Sequence, residues 1–170
     1  MAEAKERLRA EGIILHQGIA VGDFIRVIER RDGSWVARHV ELDLDPQVQR
    51  RRFGSDYLAH LERWYRANGI GRVELRADME SGGYVWARLG FDWDLTKPET
   101  TEDLHIIARR LRRRAQRDKN QAAIIVANLL EDADLLGRGL VPTPRQVTAL
   151  GTIGRDTLLG ATWNGVKHLR

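Results

Sequence analysis

Three groups of residues have types and spacing that could do chemistry. The first, Gln49-Arg50-Arg51-Arg52-Phe53-Gly54-Ser55, lies between an alternating segment and one of helical period. Small residues in such a strand-to-helix turn let main-chain N–H groups close on an anion, and the arginines add charge. An ordinary turn with solvated arginines has the same appearance, and at a helix start Ser55 suits a cap better than a nucleophile. The second group is the polar side of Trp35–Leu44, where His39, Glu41 and Asp43 alternate with apolar Val36, Val40, Leu42 and Leu44. The third runs from Arg109 to Lys119 and would attract polyanions. No aromatic residue is interleaved there for base stacking, so the solvated side of an amphipathic helix is the favoured reading over a nucleic-acid surface.

The inventory also excludes chemistry. Cysteine is absent, which removes disulfides, thiolate metal sites and a cysteine nucleophile. His16, His39, His60, His105 and His168 are too widely spaced to make a metal pair, so no metal is expected. Apolar runs such as Ala122–Ala127 fall far short of the roughly 20 residues of a membrane span. The N-terminal MAEAKERLRAEG is charged throughout and lacks a signal peptide's apolar stretch, so a soluble, cytoplasmic protein is expected.

The elements that must hold these groups follow from periodicity. With 170 residues, 42% of them hydrophobic, the chain can close one sizeable core. Residues 2–11 carry helix formers and end at Gly12, which reads as a short helix or arm. Ile13–Leu15, Phe24–Glu29 and Trp35–Asp43 read as strands, the last two joined by a tight turn at Arg31-Asp32-Gly33-Ser34. Ser55–Ala67 has helical spacing and stops at Asn68-Gly69; Val73–Ala77, Tyr84–Leu89 and Phe91–Leu95 read as strand, helix and strand. That order means mixed α/β with a crossover. Helices follow over Thr101–Lys119 and Ala122–Leu136, then one from a capping box at Thr143-Pro144-Arg145-Gln146. Past Gly151 an irregular stretch is expected, with Thr162–Leu169 as a final strand.

The turn resembles the acetyl-CoA pyrophosphate signature of the GCN5-related N-acetyltransferase (GNAT) superfamily, in which a strand ends, a Gln/Arg-x-x-Gly-x-Gly/Ala turn follows and a helix begins. Gln49, Arg52 and Gly54 fall on its three signature positions. Arg72–Ala77 is similar to the next family strand, and Gly83–Phe91 to the following helix with its Leu-Gly-Phe ending, so the resemblance covers about residues 35–95. There are departures. Arg52 stands where the family prefers glycine, Met79 near where an asparagine often contacts the cofactor, and Trp86 in the place of the tyrosine that commonly protonates the departing thiolate. Only about 23 residues precede Phe24, where the family places a strand and two helices.

The resemblance implies an α/β fold with a mixed, GNAT-like central sheet, flanking helices and a C-terminal helical segment. It divides the chain into an acyl-CoA-binding core over 1–99, a helical extension or insertion over 100–161 and a final strand over 162–170. It implies acetyl-CoA, or another acyl-CoA, bound by Leu44, Gln49, Arg50, Arg51, Arg52, Phe53, Gly54 and Ser55, and acyl transfer to an amine acceptor with Glu41 or Asp43 as general base. Two alternatives stay open: a non-catalytic GNAT-like module in a larger assembly, of phage or toxin type, and nucleic-acid binding through the arginine-rich helix at 109–119.

Overall fold

The computed structural model describes residues 6–49, 53–77 and 82–169. Strands β1 (Arg7–His16), β2 (Ile19–Arg31) and β3 (Ser34–Leu44) lead into a single turn of helix, α1 (Pro46–Gln49), and a long helix, α2 (Phe53–Ala67). Strand β4 (Ile70–Ala77), helix α3 (Gly82–Arg88) and a two-residue strand β5 (Asp92–Trp93) follow. The last third holds α4 (Glu99–Arg117), α5 (Gln121–Leu130), α6 (Ala133–Gly137), α7 (Pro144–Thr148), α8 (Thr152–Leu158) and strand β6 (Trp163–His168). The strands form one mixed sheet in the order β1-β2-β3-β4-β6-β5, flanked by helices, so the α/β class read from the sequence is the observed one. The chain divides into two compact units, Met1–Leu75 with Lys167–Arg170, and Arg76–Val166.

In the first unit β1, β2 and β3 are antiparallel neighbours, and β3 pairs with β4 in parallel from Trp35↔Ile70 to His39↔Leu75. Both hairpins close through two residues of positive φ, Gln17-Gly18 and Asp32-Gly33, the turn geometry whose twist matches the strands. Where a short helix or arm was expected at residues 2–11, the chain from Arg7 onward is strand β1. Helix formers there are overruled by pairing with β2 along Arg7↔Glu29 to Ile14↔Gly22.

One register slip decides which residues face where. Ile25 pairs with Glu41 but Arg26 pairs with His39, so Val40 is an extra residue on β3. A strand that gains a residue reverses the phase of its alternation. The expectation that His39 shares an open polar face with Glu41 and Asp43 is therefore corrected: His39 is 7% exposed while Val40 is 51% exposed. Likewise Val36 and Leu42, read as one apolar face, lie on opposite faces, because Val36 is paired with Glu29 and Leu42 with Phe24.

The second unit is built on local signals. On α4, Leu104, Ile107, Leu111 and Ala115 are fully buried, the stripe that the helical period predicts. Asn120 caps α5 through Ala123 N–H, and Asp132 caps α6 through Leu135 N–H, which splits the single helix expected over Ala122–Leu136. The Thr143/Gln146 capping box forms as read. The stretch beyond Gly151 is helix α8 rather than irregular. Gly154 lies so close to Val147 that a Cβ there would sit 1.8 Å from its carbonyl oxygen, and this approach lets α7 and α8 pack. Trp93 and Trp163 meet edge to face at 4.8 Å, and the Trp93 indole N–H donates to the Pro142 carbonyl.

Candidate functional site

The candidate phosphate turn grows out of the end of β3. Leu44 occupies the last rung, opposite Gly22, and Asp45 continues the ladder by donating its N–H to the Val21 carbonyl. The Asp45 carboxylate then accepts the Gln47 N–H at 2.8 Å, and Pro46 occupies the first position of α1, a cap-and-proline start. Arg50, Arg51, Arg52 and the side chain of Gln49 lie outside the described residues, as does Met79. Helix α2 is described from Phe53, directly after residues that lie outside the described ones, and Ser55 lies within it rather than at its cap. The first four N–H groups of a helix have no acceptor within it, so an anion at the N-terminal end of this helix would meet main-chain amides and the positive end of the dipole.

Side-chain packing narrows what each of these residues can offer. The Phe53 ring is held between His16, edge-on at 5.2 Å, and Tyr57, stacked at 6.2 Å, so Phe53 can offer an anion only its amide. A Cβ on Gly54 would meet Leu44 Cδ1 at 3.3 Å, so the start of α2 lies hard against the strand end. Ser55 is exposed. The carboxylate of Asp56, in the same first turn, would counteract the charge of any anion held there.

Glu41 and Asp43 are both exposed and share one face, paired with Ile25 and Asp23. Asp23, which the sequence reading did not single out, thus stands directly across from Asp43. The β3–β4 ladder ends at His39↔Leu75, and Val40–Leu44 continue paired with β2.

Against the opposite face lies a buried polar cluster that sequence reasoning also missed. The Arg26 guanidinium donates to the Tyr57 hydroxyl at 2.6 Å and lies 4.3 Å above the Phe24 ring. His39 Nε2 and the Tyr65 hydroxyl are 3.0 Å apart. Burial, with the Arg26 charge adding to it, drives the His39 pKa down to about 3, so the ring is neutral. Burial likewise raises Tyr65 to about 12. The available signal was a lone arginine inside the apolar run Phe24–Ile28, with two tyrosines eight residues apart on one helix.

The sheet's other face carries ion pairs. Glu74, 4% exposed, is bonded by both Arg31 and Arg72 at 2.8 Å, and Arg31 also pairs with Glu29. Burial alone would raise Glu29, yet its hydrogen bond to Arg31 and the charges of Arg31, Arg38 and Arg7 hold it below the usual carboxylate range.

In the second unit the arginines of α4 are partly committed. Arg110 donates to the Gly160 carbonyl at 2.6 Å, Arg112 bonds Asn128 and Glu131, and Arg117 pairs with Asp118. A depression of about 450 Å³ on this helix is lined by Glu102, His105, Arg109 and Glu131, a mixed rather than a cationic surface. Trp86, which the sequence resemblance sets in the place of a proton donor, meets Phe91 edge to face at 5.2 Å; an indole has no proton to give at neutral pH. Among the described residues no group of three or more His, Asp or Glu side chains could hold a metal, and no helix is long and apolar enough to cross a membrane.

No protein-family model and no curated protein matches the chain. Among solved structures, the chain is similar to an acetyltransferase from Bacillus cereus, with 14% identity and a TM-score of 0.44 over 55% of this chain and 66% of that one. The chain thus spans just under two thirds of that protein's length. At this level of similarity, function has to be read from the residues of the site.

Proposed function

We propose that the protein is an acyl-CoA-dependent N-acyltransferase of GNAT type, with the acyl-CoA diphosphate held at the N-terminus of α2. The supporting observation is the seam between β3 and α2, where the Leu44 side chain comes within 3.3 Å of the place a Cβ on Gly54 would take, so that only glycine fits without a shift. In this reading the amides of Phe53, Gly54 and Ser55 bind phosphate oxygens, assisted by Gln49 and the Arg50–Arg52 run. The main chain near Leu44 polarises the thioester carbonyl. Glu41 or Asp43 takes a proton from the acceptor amine, either directly or through water. With Trp86 unable to act as an acid, the thiolate leaves without a protein proton donor, which its low basicity tolerates.

Calorimetric titration with acetyl-CoA and with CoA tests the binding half. A ligand present at a hundred times its dissociation constant stabilises by about 2.7 kcal/mol, so thermal unfolding reports it as well. Gly54→Glu, which adds bulk against Leu44 and a negative charge beside the phosphates, abolishes the effect in a folded protein. Absence of binding in the unaltered protein, or unchanged affinity in the variant, refutes the site. For the chemistry, Glu41→Gln paired with Asp43→Asn lowers amine acetylation by at least about a hundredfold while leaving the CoA affinity intact.

A further inference from the structure

Strand β1 lies at the edge of the sheet and has ten residues without a proline. Its outward main-chain groups are fixed by the hydrogen-bond phase. Arg30 donates its N–H to the Glu6 carbonyl, so the even-numbered residues Leu8, Ala10, Gly12 and Ile14 bond to β2. The N–H and C=O groups of Arg7, Arg9, Glu11 and Ile13 therefore point away from the sheet. An edge of this kind is a template for another strand.

From this edge we infer that β1 is the interface between two copies of the chain, joined as an antiparallel β1–β1 pair across a two-fold axis at Ala10. The side chains choose both partner and register. A two-fold pairing centred on Arg9 sets Arg9 against Arg9, and one centred on Glu11 sets Glu11 against Glu11, with like charges directly opposite. Centring on Ala10 instead places Arg9 opposite the other copy's Glu11, and the reverse, on one face. It uses the residues whose main-chain groups are free to bond outward. On the other face it sets Leu8, 59% exposed, opposite Gly12, over which the Phe24 ring leans with Cε1 3.3 Å from where a Cβ would be. A large side chain thus meets the edge of an aromatic ring rather than another side chain's Cβ. Ile13, 67% exposed, is covered by the stem of the other copy's Arg7. Exposed ion pairs add little affinity. Their part is to fix the register, while the ladder and Leu8 hold the pair together.

Sedimentation equilibrium over a concentration series tests this, with circular dichroism to verify folding. The unaltered protein dimerises. Arg9→Glu, which sets glutamate against glutamate, weakens the dimer at least about tenfold, and the exchange R9E/E11R restores it. Glu11→Pro removes an outward N–H without taking a bond from the β1–β2 ladder, and gives a folded monomer. A monomeric unaltered protein overturns the inference, as does a dimer indifferent to both Arg9→Glu and Glu11→Pro. Failure of the exchange to restore association overturns the register.

Discussion

The hairpins β1–β3 and the helices α4–α8 are organised by opposite means. In the helical region each boundary has a local cause: Asn120, Asp132 and Thr143 accept backbone N–H groups at successive helix starts, and the buried stripe of α4 follows the helical period. In the hairpins the decisive features are long-range. One extra residue, Val40, places His39 under α2 and leaves Glu41 and Asp43 open, and no property of Val40 itself announces this. Packing a helix tolerates little change at contact points, whereas a sheet stakes its side-chain assignment on register.

That contrast gives graded predictions. The largest effect is expected where α7 meets α8. Gly154→Ala drives a Cβ into the Val147 carbonyl and should cost about 3 kcal/mol or more in urea unfolding, against about 1 kcal/mol for Gly33→Ala, whose turn is strained by a side chain but open. Equal costs would show that close helix packing does not distinguish the two regions.

Next comes the buried histidine of the hairpin region. His39 is neutral in both folded and unfolded chains above pH 6.5; below it the unfolded chain takes up a proton that the folded one refuses until about pH 3. Stability is therefore lost as the pH is lowered through that window, at a limiting slope of about 1.4 kcal/mol per pH unit for this one group. His39→Gln can keep the Tyr65 hydrogen bond without titrating, and should flatten the acid side of the stability profile by that amount. An unchanged profile would put His39 in solvent and undo the register slip.

A smaller effect sharpens the helical half. Thr143→Ala removes the reciprocal cap of α7 and should cost about 1 kcal/mol by thermal or urea unfolding.

The same contrast explains what was legible beforehand. The mixed α/β class, the Asp32-Gly33 turn, the α4 stripe and the Thr143 box rest on spacing within a few residues, and each was readable. Of strand β1 only Ile13–Leu15 was readable; its first half was not, because Arg7–Ala10 are helix formers that only pairing with β2 makes extended. Helix α8 was missed because Gly154 serves packing there rather than ending a helix. Of the candidate site, the positions of Glu41 and Asp43 on one open face were legible, whereas Phe53 and Gly54, read as part of the turn before a helix at Ser55, are already helical. The partnership of Arg26, Tyr57, His39 and Tyr65 was not legible, since it joins two strands to a helix up to 31 residues away.

The central claim, that an acyl-CoA diphosphate seats on the first amides of α2, is tested most directly by hydrogen exchange with and without acetyl-CoA, read by mass spectrometry at peptide level. The account predicts slowed exchange in the segment from Leu44 to Leu58, lost again in Gly54→Glu. Bound acetyl-CoA that leaves this segment's exchange unaltered, or protects only α4 and its arginines, would contradict it.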